Sequence, residues 1–491
     1  MTKFEDYKID KEIQKALTTL GYNAPTLVQE KLFPLLFLNE DTIVKSKTGS
    51  GKTAAFSIPI IQMLDWDIRL PQALVLTPTR ELALQVREEM FHIGRYKRLK
   101  VEPLYGQVSY KAQAKQLAQR THIVVGTPGR VLDHIKQKTL DVSAIRYVVI
   151  DEADEMFAIG FEEQVKEILD AIHSVHTTTL LSATLKPGIE KLAHTYMQQA
   201  TYIEVEDTPL IIHQTYLYHE DKEEAVYDVL INENPNQCII FANTKETVDN
   251  LYAQLSRKKL LVSKLHGGMD QKKRIQAIKE FKLRYVKYLI ATDVAARGID
   301  VDNIELIINY DVPTNNEIYI HRIGRSGRME KQGKAITLVS EEEKRFFNQI
   351  KEMQKDLKEY QLPDEEILKE KEVLLKDLKK PFIKADKNLL FENEIMKLHI
   401  NAGKKAKIRA MDIVGAICSI EGITNEDIGI IEIIDVATFV EILNQKGDLV
   451  LNALQSMKIK GKIRKVNKAK MTNYERDYKK QEKSQESDEY L

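Results

Sequence analysis

The residues Asp151-Glu152-Ala153-Asp154 directly follow an unbroken apolar run, Tyr147-Val148-Val149-Ile150. A continuous apolar run of this length predicts a strand that is buried on both faces, as in a parallel sheet flanked by helices. The carboxylates would then lie at the carboxyl edge of the sheet, where open α/β folds bind their ligands. The alternative for an acidic tetrapeptide is a solvated turn, and the buried strand in front of it favours the ligand site.

Similar apolar runs recur along the first two thirds of the chain and alternate with helical stretches. This alternation predicts two series of parallel strands, and therefore two α/β domains, with a boundary near Asp207-Thr208-Pro209. The first series is 42–44, 73–76, 123–125, 147–150 and 179–181, and the second is 238–241, 262–265, 288–291, 306–308 and 335–339.

The pattern changes after the second series. Residues 341–380 are dense in Glu and Lys with periodic apolar residues, which indicates surface helices and a connector. From Met396 the order strand, helix, strand, strand, helix, strand predicts a small α+β domain of the split βαβ type. The expected domains are 1–206, 207–365 and 396–470, with a linker at 366–395 and a charged, disordered tail at 471–491.

The bulk properties favour a cytoplasmic protein. No apolar run approaches the roughly 20 residues that span a bilayer, and residues 1–6 do not resemble a signal peptide. The two cysteines, Cys238 and Cys418, lie in apolar stretches and are expected to be buried thiols rather than a disulfide. Nothing resembles a heptad seam, so a monomer is the default expectation.

The charge is distributed unevenly along the chain. The formal net charge is zero, with 73 basic and 73 acidic residues, yet residues 396–471 contain 13 Lys and Arg against 8 Asp and Glu, a local excess of +5. A basic domain on a neutral chain suggests a locally addressed contact with nucleic acid.

A second ligand motif, Ser46-Lys47-Thr48-Gly49-Ser50-Gly51-Lys52-Thr53, is typical of a phosphate-binding loop, although Ser46 occupies the first glycine position of the strict pattern. The glycines allow backbone N–H groups to wrap a phosphate, and a helix that begins near Lys52 points its positive end at the same place. Lys52 would reach the β- and γ-phosphates, and the Thr53 hydroxyl would face Mg²⁺. The alternative is a Gly-rich hairpin.

The acids and a distant arginine segment complete a nucleotide site. Asp151 is the expected Mg²⁺ carboxylate, Glu152 would orient the attacking water, and Asp154 would tie to another motif. In His321-Arg322-Ile323-Gly324-Arg325-Ser326-Gly327-Arg328 the arginines are spaced as a phosphate clamp. Arg325 and Arg328 would approach the γ-phosphate from the second domain as arginine fingers; the alternative is a solvated basic turn.

Taken in order, these motifs resemble those of the DEAD-box RNA helicases over roughly residues 1–345. The motifs are Gly21-Tyr22 with Pro25-Thr26 and Gln29; Ser46 to Thr53; Pro78-Thr79-Arg80-Glu81-Leu82; Thr127-Pro128-Gly129-Arg130; Asp151 to Asp154; Ser182-Ala183-Thr184; Gln271 with Arg274; Ala291-Thr292-Asp293 through Arg297-Gly298-Ile299-Asp300; and His321 to Arg328.

The resemblance implies roles that spacing alone does not give. Gln29 would recognise adenine, Phe4 and Tyr22 would lie at the base, and Asp300 would hold the ribose. Asp154, Ser182, Thr184 and His321 would couple the nucleotide site to RNA. The implied contacts with the RNA backbone, which bind phosphates and 2′-hydroxyls without reading sequence, are Arg80, Gly106, Thr127, Arg130, Arg274 and Thr292. The sequence departs from the family at Ser46, at Ser326 and at Gly106-Gln107, where the family has paired glycines.

The C-terminal region resembles the RNA-binding domain of the bacterial DbpA-like (YxiN-like) subgroup. The residues that match are 401–405, 407–409, 427–431, 439–442 and 459–462. The implied fold is RRM-like, but only Phe439 could provide the aromatic platform on which RRMs stack bases. Lys404, Lys405, Lys407 and Arg409, with residues 458–470, are therefore the better candidates for RNA contact. The subgroup is associated with 23S ribosomal RNA and assembly of the large (50S) subunit.

These observations predict an ATP- and Mg²⁺-dependent RNA helicase that opens short duplexes locally. Two alternatives share its motifs. One is an ATP-gated RNA clamp that rarely separates strands, and the other is a DNA helicase with the same two-domain core.

Overall fold

The computed structural model describes residues 2–46, 50–205, 212–296, 304–327, 333–354, 356–374, 381 and 383–470. They belong to two compact units, one formed by Met1–Glu206 with Ala385–Leu491 and the other by Asp207–Lys384. The expected boundary at Asp207-Thr208-Pro209 and the tail at 471–491 lie outside the described residues.

The first unit contains a seven-stranded parallel sheet in the order β3-β4-β2-β5-β6-β1-β7. Its strands are β1 (Thr42–Lys45), β2 (Ala73–Leu76), β3 (Val101–Leu104), β4 (Ile123–Gly126), β5 (Tyr147–Ile150), β6 (Thr177–Ser182) and β7 (Thr201–Glu204). The helices that cover it are α1 (Lys11–Thr19), α2 (Leu27–Phe37), α3 (Lys52–Met63), α4 (Arg80–Ile93), α5 (Tyr110–Leu117), α6 (Pro128–Lys136), α7 (Ala153–Ala158), α8 (Glu162–Ala171) and α9 (Pro187–Tyr196).

Strand β5 lies in the middle of this sheet, paired in parallel with β2 on one side and with β6 on the other. All four of its residues are buried, because helices pack on both faces of the sheet. Two separate apolar clusters result, one on each face, with Val149 in one and Val148 and Ile150 in the other. The apolar run that precedes the acidic motif therefore forms a buried central strand.

The second unit repeats the architecture with a seven-stranded parallel sheet in the order β10-β11-β9-β12-β13-β8-β14. Its strands are β8 (Ile212–Tyr218), β9 (Cys238–Phe241), β10 (Val262–Leu265), β11 (Tyr288–Ala291), β12 (Leu306–Asn309), β13 (Gly333–Val339) and β14 (Lys358–Glu359). Its helices are α10 (Lys222–Glu233), α11 (Lys245–Arg257), α12 (Gln271–Lys282), α13 (Asp293–Ala296), α14 (Asn316–Ile323), α15 (Lys344–Met353) and α16 (Glu365–Leu374).

The C-terminal domain belongs to the first unit and has an antiparallel sheet in the order β16-β17-β15-β20. Its elements are α17 (Lys387–Leu390), β15 (Met396–Ile400), α18 (Ala410–Cys418), β16 (Ile428–Ile433), β17 (Thr438–Ile442), α19 (Gly447–Leu454), the hairpin of β18 (Lys458–Ile459) and β19 (Lys462–Ile463), and β20 (Val466–Lys468). Leu398, Val440 and Ile442 point to one face of the sheet, where they pack with the two helices.

The predicted fold class is confirmed: two parallel α/β domains precede a small α+β domain of RRM-like strand order. Both cysteines are free thiols, but only Cys238 is buried as expected, since Cys418 is half-buried at the end of α18. Among the described residues, none of the helices is both long enough and apolar enough to span a bilayer.

Gly403 provides a test of the C-terminal packing. A Cβ at this position would lie 2.1 Å from the Ile434 carbonyl oxygen and 2.6 Å from the Ala437 amide nitrogen, both backbone atoms. We therefore expect Gly403→Ala to lower the free energy of unfolding of this domain by about 1–3 kcal/mol. Hydrogen exchange of peptides from 396–470, followed by mass spectrometry on the full chain, measures the change.

Gly415, inside α18, is the matched control because a Cβ there meets no atom within 4 Å. Gly415→Ala should slow exchange in the same peptides, since alanine favours a helix by about 0.5–1 kcal/mol over glycine. Equal exchange in the two variants would contradict the close approach seen at Gly403.

Candidate functional site

The loop between β1 and α3 ends in a geometry suited to an anion. Gly51 precedes the helix with φ 90°, a left-handed conformation that favours glycine. The Lys52 side chain is 7% exposed and its Nζ donates to the Ser46 carbonyl at 3.0 Å. The first N–H groups of α3 have no partner within the helix, so this end provides donors and a positive dipole. Lys47, Thr48 and Gly49 lie outside the described residues.

Residues at the start of α2 contact the same loop. Thr26 Oγ1 donates to the Ser50 carbonyl at 2.9 Å, and Gln29 Nε2 donates to the Gly51 carbonyl at 3.2 Å. The Gln29 Oε1 atom accepts from the Thr26 backbone N–H, so the amide of Gln29 joins the start of α2 to the start of α3. The structure thus brings together two motifs that are about 20 positions apart in sequence.

Phe4 and Tyr22, the two aromatics expected near the base, contact each other edge to face with ring centroids 6.4 Å apart. Phe4 is buried and also packs against Phe33. The Tyr22 hydroxyl donates to Glu89 on α4. Tyr22 therefore contacts both Phe4 and helix α4.

The acidic motif begins at the carboxyl end of β5. Asp151 is 3% exposed, and its Oδ1 accepts from the Glu152 N–H at 3.0 Å. Glu152 has φ 51° and ψ 52° and caps α7. A left-handed conformation costs a residue with a Cβ roughly 1 kcal/mol or more, so the backbone at Glu152 is held there by its surroundings. Conformations of this kind cluster at active sites.

Asp154 lies against the motif that follows β6. Its Oδ2 accepts from the Thr184 N–H at 2.9 Å and from Thr184 Oγ1 at 3.0 Å. Ser182 Oγ accepts from the Asp154 N–H and donates to the Thr184 carbonyl at 2.7 Å. These bonds link the two motifs into one hydrogen-bonded network.

A second group of site residues lies at the ends of β3 and β4. The Arg80 guanidinium passes Gly106 so closely that a Cβ there would lie 3.4 Å from Arg80 Nη2. Thr127, buried at the start of α6, donates its N–H to the Leu104 carbonyl at 2.9 Å. Gln107, where the family has its second glycine, adopts φ 60°. The backbone therefore keeps a glycine-like path at this departure from the family.

Gln113 on α5 is a residue that the sequence reasoning missed. Its Nε2 donates to the carbonyls of Pro103 and Tyr105, at 3.4 and 3.2 Å, and its Oε1 accepts from Arg130 Nη1 at 2.7 Å. Arg130 Nη1 also donates to the Val108 carbonyl at 3.2 Å. Gln113 thereby fixes both the Gly106 loop and the guanidinium of Arg130. A single glutamine between polar helical residues gives no sequence signal for this role.

His134 completes that cluster from α6. Its ring stacks on Tyr110 with centroids 4.2 Å apart, and its nitrogens lie 2.8 Å from Thr139 Oγ1 and 3.3 Å from Gln113 Oε1. Burial, with the nearby positive charge of Arg130, lowers the pKa of His134 from 6.5 to about 4. The neutral imidazole is therefore the form that the folded protein favours.

In the second unit, Arg322 is buried and forms an ion pair with Asp293. It is 2% exposed, its Nε and Nη2 donate to the two carboxylate oxygens of Asp293 at 2.5 and 2.7 Å, and its Nη1 donates to the Asp311 carbonyl at 2.8 Å. Arg322, the first of the three arginines predicted to bind phosphate, thus stabilises the fold instead. Asp293 directly follows Thr292, whose N–H donates to the Leu265 carbonyl, so the pair fixes this loop.

The other predicted residues of this unit lie on α12, on α14 and just after α14. Arg274 is in the first turn of α12, and His321 is on the exposed side of α14. Arg325 is half-buried in the turn that follows, which Ser326 anchors by donating to the Ile304 carbonyl at 2.6 Å. Asp300 and Arg328 lie outside the described residues.

Four of the basic candidates of the C-terminal domain, Lys404, Lys405, Lys407 and Arg409, lie in one segment, which we call the basic edge (residues 404–409). Lys404 and Lys405 are in a short 3-10 turn held by backbone bonds to the carbonyls of Ile434 and Asp435, at 2.9 and 2.8 Å. Lys407 and Arg409 follow, before α18 begins. The ammonium of Lys460, from the β18–β19 hairpin, contacts the Lys407 carbonyl. The hairpin and the turn therefore form a single positively charged surface.

The chain matches three family models in the order in which these sites occur. They are "DEAD/DEAH box helicase" over residues 26–192, "Helicase conserved C-terminal domain" over 221–330 and "DbpA RNA binding domain" over 397–468. The chain therefore belongs to the DEAD-box ATP-dependent RNA helicases, a family of RNA-dependent ATPases, and its C-terminal domain is of the DbpA type.

Three relatives illustrate this membership. The chain is 48% identical to the ATP-dependent RNA helicase DbpA of Bacillus subtilis over 477 residues, which cover 96% of this chain and 100% of that protein. It is 39% identical to the DEAD-box helicase CshA of Bacillus subtilis over 72% of each chain. Its structure is similar to that of S. cerevisiae Dbp5 bound to RNA and ADP BeF3, with a TM-score of 0.67 and 30% identity over 77% of this chain and 100% of that one.

The lowered pKa of His134 predicts a pH dependence. Because the folded state favours the neutral ring, the contribution of His134 to stability is complete above about pH 6.5 and is lost as the pH falls toward about 4. Urea denaturation at pH 7.5, 5.5 and 4.5 should show a loss of stability that is smaller in His134→Gln. The residual loss in that variant includes His122, whose pKa burial also lowers to about 4. Identical pH profiles in the two proteins would contradict this assignment.

The Arg322–Asp293 pair predicts a stability effect that is separate from phosphate binding. Asp293→Asn leaves a buried guanidinium without its counter-charge, which should cost about 3–5 kcal/mol. Hydrogen exchange should rise across β11, β12 and α14. Lys369→Ala, which breaks an exposed ion pair with Glu365 in the same unit, is the control and should change stability by less than about 1 kcal/mol.

Proposed function

We propose that this chain uses ATP and Mg²⁺ to open short RNA duplexes locally, and that its substrate is 23S ribosomal RNA during assembly of the large ribosomal subunit. The observation that supports the helicase chemistry best is the hydrogen-bonded link from Asp154 to Thr184, because it joins the acids at the end of β5 to a neighbouring motif. The proposal also treats the protein as a monomer of the cytoplasm, with domains at 1–206, 207–365 and 396–470.

In this proposal ATP binds where α3 begins. The backbone N–H groups of Ser50, Gly51 and the first turn of α3 would hold the phosphates, with Lys52 leaving the Ser46 carbonyl to meet the β- and γ-phosphates. Lys47, Thr48 and Gly49 would complete the loop. Gln29, already held against Gly51, would read the adenine, with Phe4 and Tyr22 at the base and Asp300 at the ribose.

The residues at this site suit Mg²⁺ better than a transition metal. Among the described residues there is no group of three or more His, Cys, Asp or Glu side chains that could hold an ion alone. Thr53 and Asp151 offer hard oxygen ligands, which Mg²⁺ uses together with water and the phosphates of its substrate. When bound, the ion would neutralise charge that develops on the phosphates.

Glu152 is the proposed general base. Its strained backbone holds a carboxylate directly after the buried strand, next to Asp151, where it would orient the attacking water. Arg325 and Arg328 would stabilise the negative charge of the transferred phosphoryl group after closure of the two core domains. Hydrolysis would then depend on closure, and closure on RNA.

The RNA backbone would be gripped by Arg80, Gly106, Thr127 and Arg130 in the first core domain and by Arg274 and Thr292 in the second. Such contacts fix the path of one strand without reading its sequence. A bent path is incompatible with a duplex, so a short helix would open. Asp154, Ser182, Thr184 and His321 would report nucleotide binding to this surface.

The C-terminal domain would anchor the protein to structured RNA through Lys404, Lys405, Lys407 and Arg409. Tethering raises the effective concentration of the core near neighbouring helices. The 48% identity to a DbpA protein and the DbpA-type domain support RNA as the target, and 23S rRNA is the proposed RNA because the C-terminal region resembles the DbpA-like subgroup. ATPase stimulation by a set of 23S rRNA fragments, compared with DNA of the same sequences, tests this target. We expect RNA alone to stimulate and one fragment to dominate.

Glu152→Gln and Lys52→Ala should separate binding from hydrolysis. Glu152→Gln retains the shape of the site but removes the base, so ATP binding should persist while turnover falls by about 10²–10⁴-fold. Lys52→Ala should weaken binding itself. Fluorescent nucleotide titration and steady-state ATPase measurements distinguish the two, and unchanged turnover in Glu152→Gln would refute its assigned role.

Strand displacement on a short tailed duplex tests unwinding. The wild-type protein should release the strand with ATP, and Glu152→Gln should bind the duplex without multiple turnovers. RNA-stimulated ATPase without strand release would instead identify an ATP-gated RNA clamp.

A further inference from the structure

An aromatic cluster joins the C-terminal domain to the first core domain. Phe391, between α17 and β15, is fully buried and stacks on His92 of α4 with centroids 5.5 Å apart and planes 12° apart. Tyr96 also contacts Phe391, with ring centroids 5.7 Å apart. Ala16, Ile395 and Leu443 complete the cluster. Side chains of both domains are therefore removed from water at this contact.

A buried ion pair lies beside the cluster. Arg95 Nη2 donates to Glu441 Oε1 at 3.0 Å, and the two side chains are 7% and 4% exposed. The Arg95 guanidinium also packs over the Phe391 ring at 4.8 Å. Loss of one partner of a buried ion pair is strongly destabilising, because the other charge remains desolvated. The pair therefore selects one docked arrangement and penalises others.

Glu441 identifies the face of the sheet that the core domain contacts. It alternates along β17 with Val440 and Ile442, which face the domain core, so it shares the opposite face with Phe439. Lys397 and His399 of β15 lie directly across from Glu441 and Phe439. This is the face on which an RRM ordinarily stacks bases, and at Glu441 it is in contact with the core domain.

Polar contacts surround this centre. Arg98 Nη1 donates to the carbonyls of Asn425 and Ile428, at 3.0 and 3.5 Å, while its guanidinium lies 4.8 Å above Trp66. Lys15 pairs with Glu394 at 2.6 Å. Lys387 pairs with Glu89, the residue that also accepts from the Tyr22 hydroxyl.

We infer that the sheet face of the C-terminal domain is a protein-docking surface, and that through it this domain and the first core domain move as one body. Docking leaves the basic edge free and places it near α5. Asp435, whose carbonyl holds Lys405, has its carboxylate 3.8 Å from Lys115 on α5. The same helix contains Gln113, the partner of Arg130.

The consequence for RNA rests on the proposed function. An RNA bound at the basic edge would continue onto the surface of Gly106 and Arg130 without a flexible connection between them. The substrate would then be a structured RNA whose anchoring element and opened helix are close neighbours. An RNA with a long, flexible spacer between its anchoring element and its opened helix would gain nothing from docking.

Charge exchange across the buried pair tests the docking itself. Arg95→Glu and Glu441→Arg should each lower the docked fraction by at least about tenfold, and the double variant should restore it. Carbodiimide, which joins amines to carboxylates in contact, should link Lys15 to Glu394 and Lys387 to Glu89 in the full-length wild-type protein. Mass spectrometry should find these links lost in both single variants and recovered in the double variant.

The exposed pair Lys115–Asp435 provides the matched control. Its side chains are 66% and 56% exposed, so Lys115→Ala should leave the two cross-links unchanged. The inference is overturned if wild type lacks these cross-links, if the C-terminal domain cross-links to residues of 207–384 instead, or if the double variant fails to recover while Lys115→Ala also loses them.

Tryptophan fluorescence gives a second readout. Trp66 is the single tryptophan of the chain, and undocking would release Arg98 from the carbonyls that hold it there. The emission of both single charge variants should shift relative to wild type, and the double variant should return to the wild-type spectrum. Emission that is identical in all four proteins would overturn the inference.

Measurements with RNA distinguish a failure of the docking inference from a failure of the helicase assignment. Arg95→Glu should retain RNA affinity and basal ATPase but lose most stimulation by a tethered duplex. Intact cross-links with no RNA-stimulated ATPase in wild type would refute the proposed function and leave docking standing. Lost docking with full stimulation would refute the composite RNA surface and leave the helicase assignment standing.

Discussion

The site depends on the burial of β5 between two parallel neighbours. A strand in the middle of a sheet with helices on both faces is held in register by packing, since a shift of one residue would exchange Val149 with Val148 and Ile150 and disrupt both packed clusters. Asp151 therefore leaves the sheet at a fixed point, and the left-handed Glu152 turns the chain directly into α7. The position of both carboxylates follows from packing rather than from any contact with a ligand.

Hydrogen bonds extend that rigidity to neighbouring motifs. Asp154 holds Thr184 after β6, and Gln29 holds Gly51 before α3. Gln113 does the same for the loop after β3 and for Arg130. In each case one polar side chain bridges two loops at the carboxyl edge of the sheet. These hydrogen bonds therefore fix the loops relative to one another.

Strands β2, β4, β5, β9, β11 and β12 could be predicted because all of their residues are buried, which gives continuous apolar runs. β3, β7, β8 and β14 were missed. β3, β7 and β14 are edge strands whose exposed sides break the apolar pattern, and β8 contains His213 and Gln214. The phosphate loop, the acidic motif and the arginine segment were found from residue type and spacing, whereas the base and RNA contacts came from the family resemblance. Gln113 was not found, and Arg322 was assigned to the phosphate clamp rather than to its pair with Asp293, because both roles arise from partners that only the fold brings near.

Two buried arginines show why such roles elude sequence reasoning. Arg322 and Arg95 are each paired with a carboxylate, but Asp293 is 29 positions from its partner and Glu441 is 346 positions away. The first pair stabilises one loop within a domain, whereas the second joins two domains. Composition and spacing do not indicate which acidic residue a given arginine will pair with in the folded protein.

The docked arrangement also explains the missing aromatic platform of the C-terminal sheet. A base-stacking face needs exposed rings and tolerates no buried carboxylate, because Glu441 would repel the RNA backbone. Phe439 instead lies between His399 and Lys397, with ring centroids 5.2 Å from the histidine, and the neighbouring position faces Arg95. Positive charge lies instead at the turn before α18 and at the β18–β19 hairpin. The proposed RNA contacts and the proposed docking contact therefore lie on separate surfaces of one small domain, so both can be satisfied at the same time.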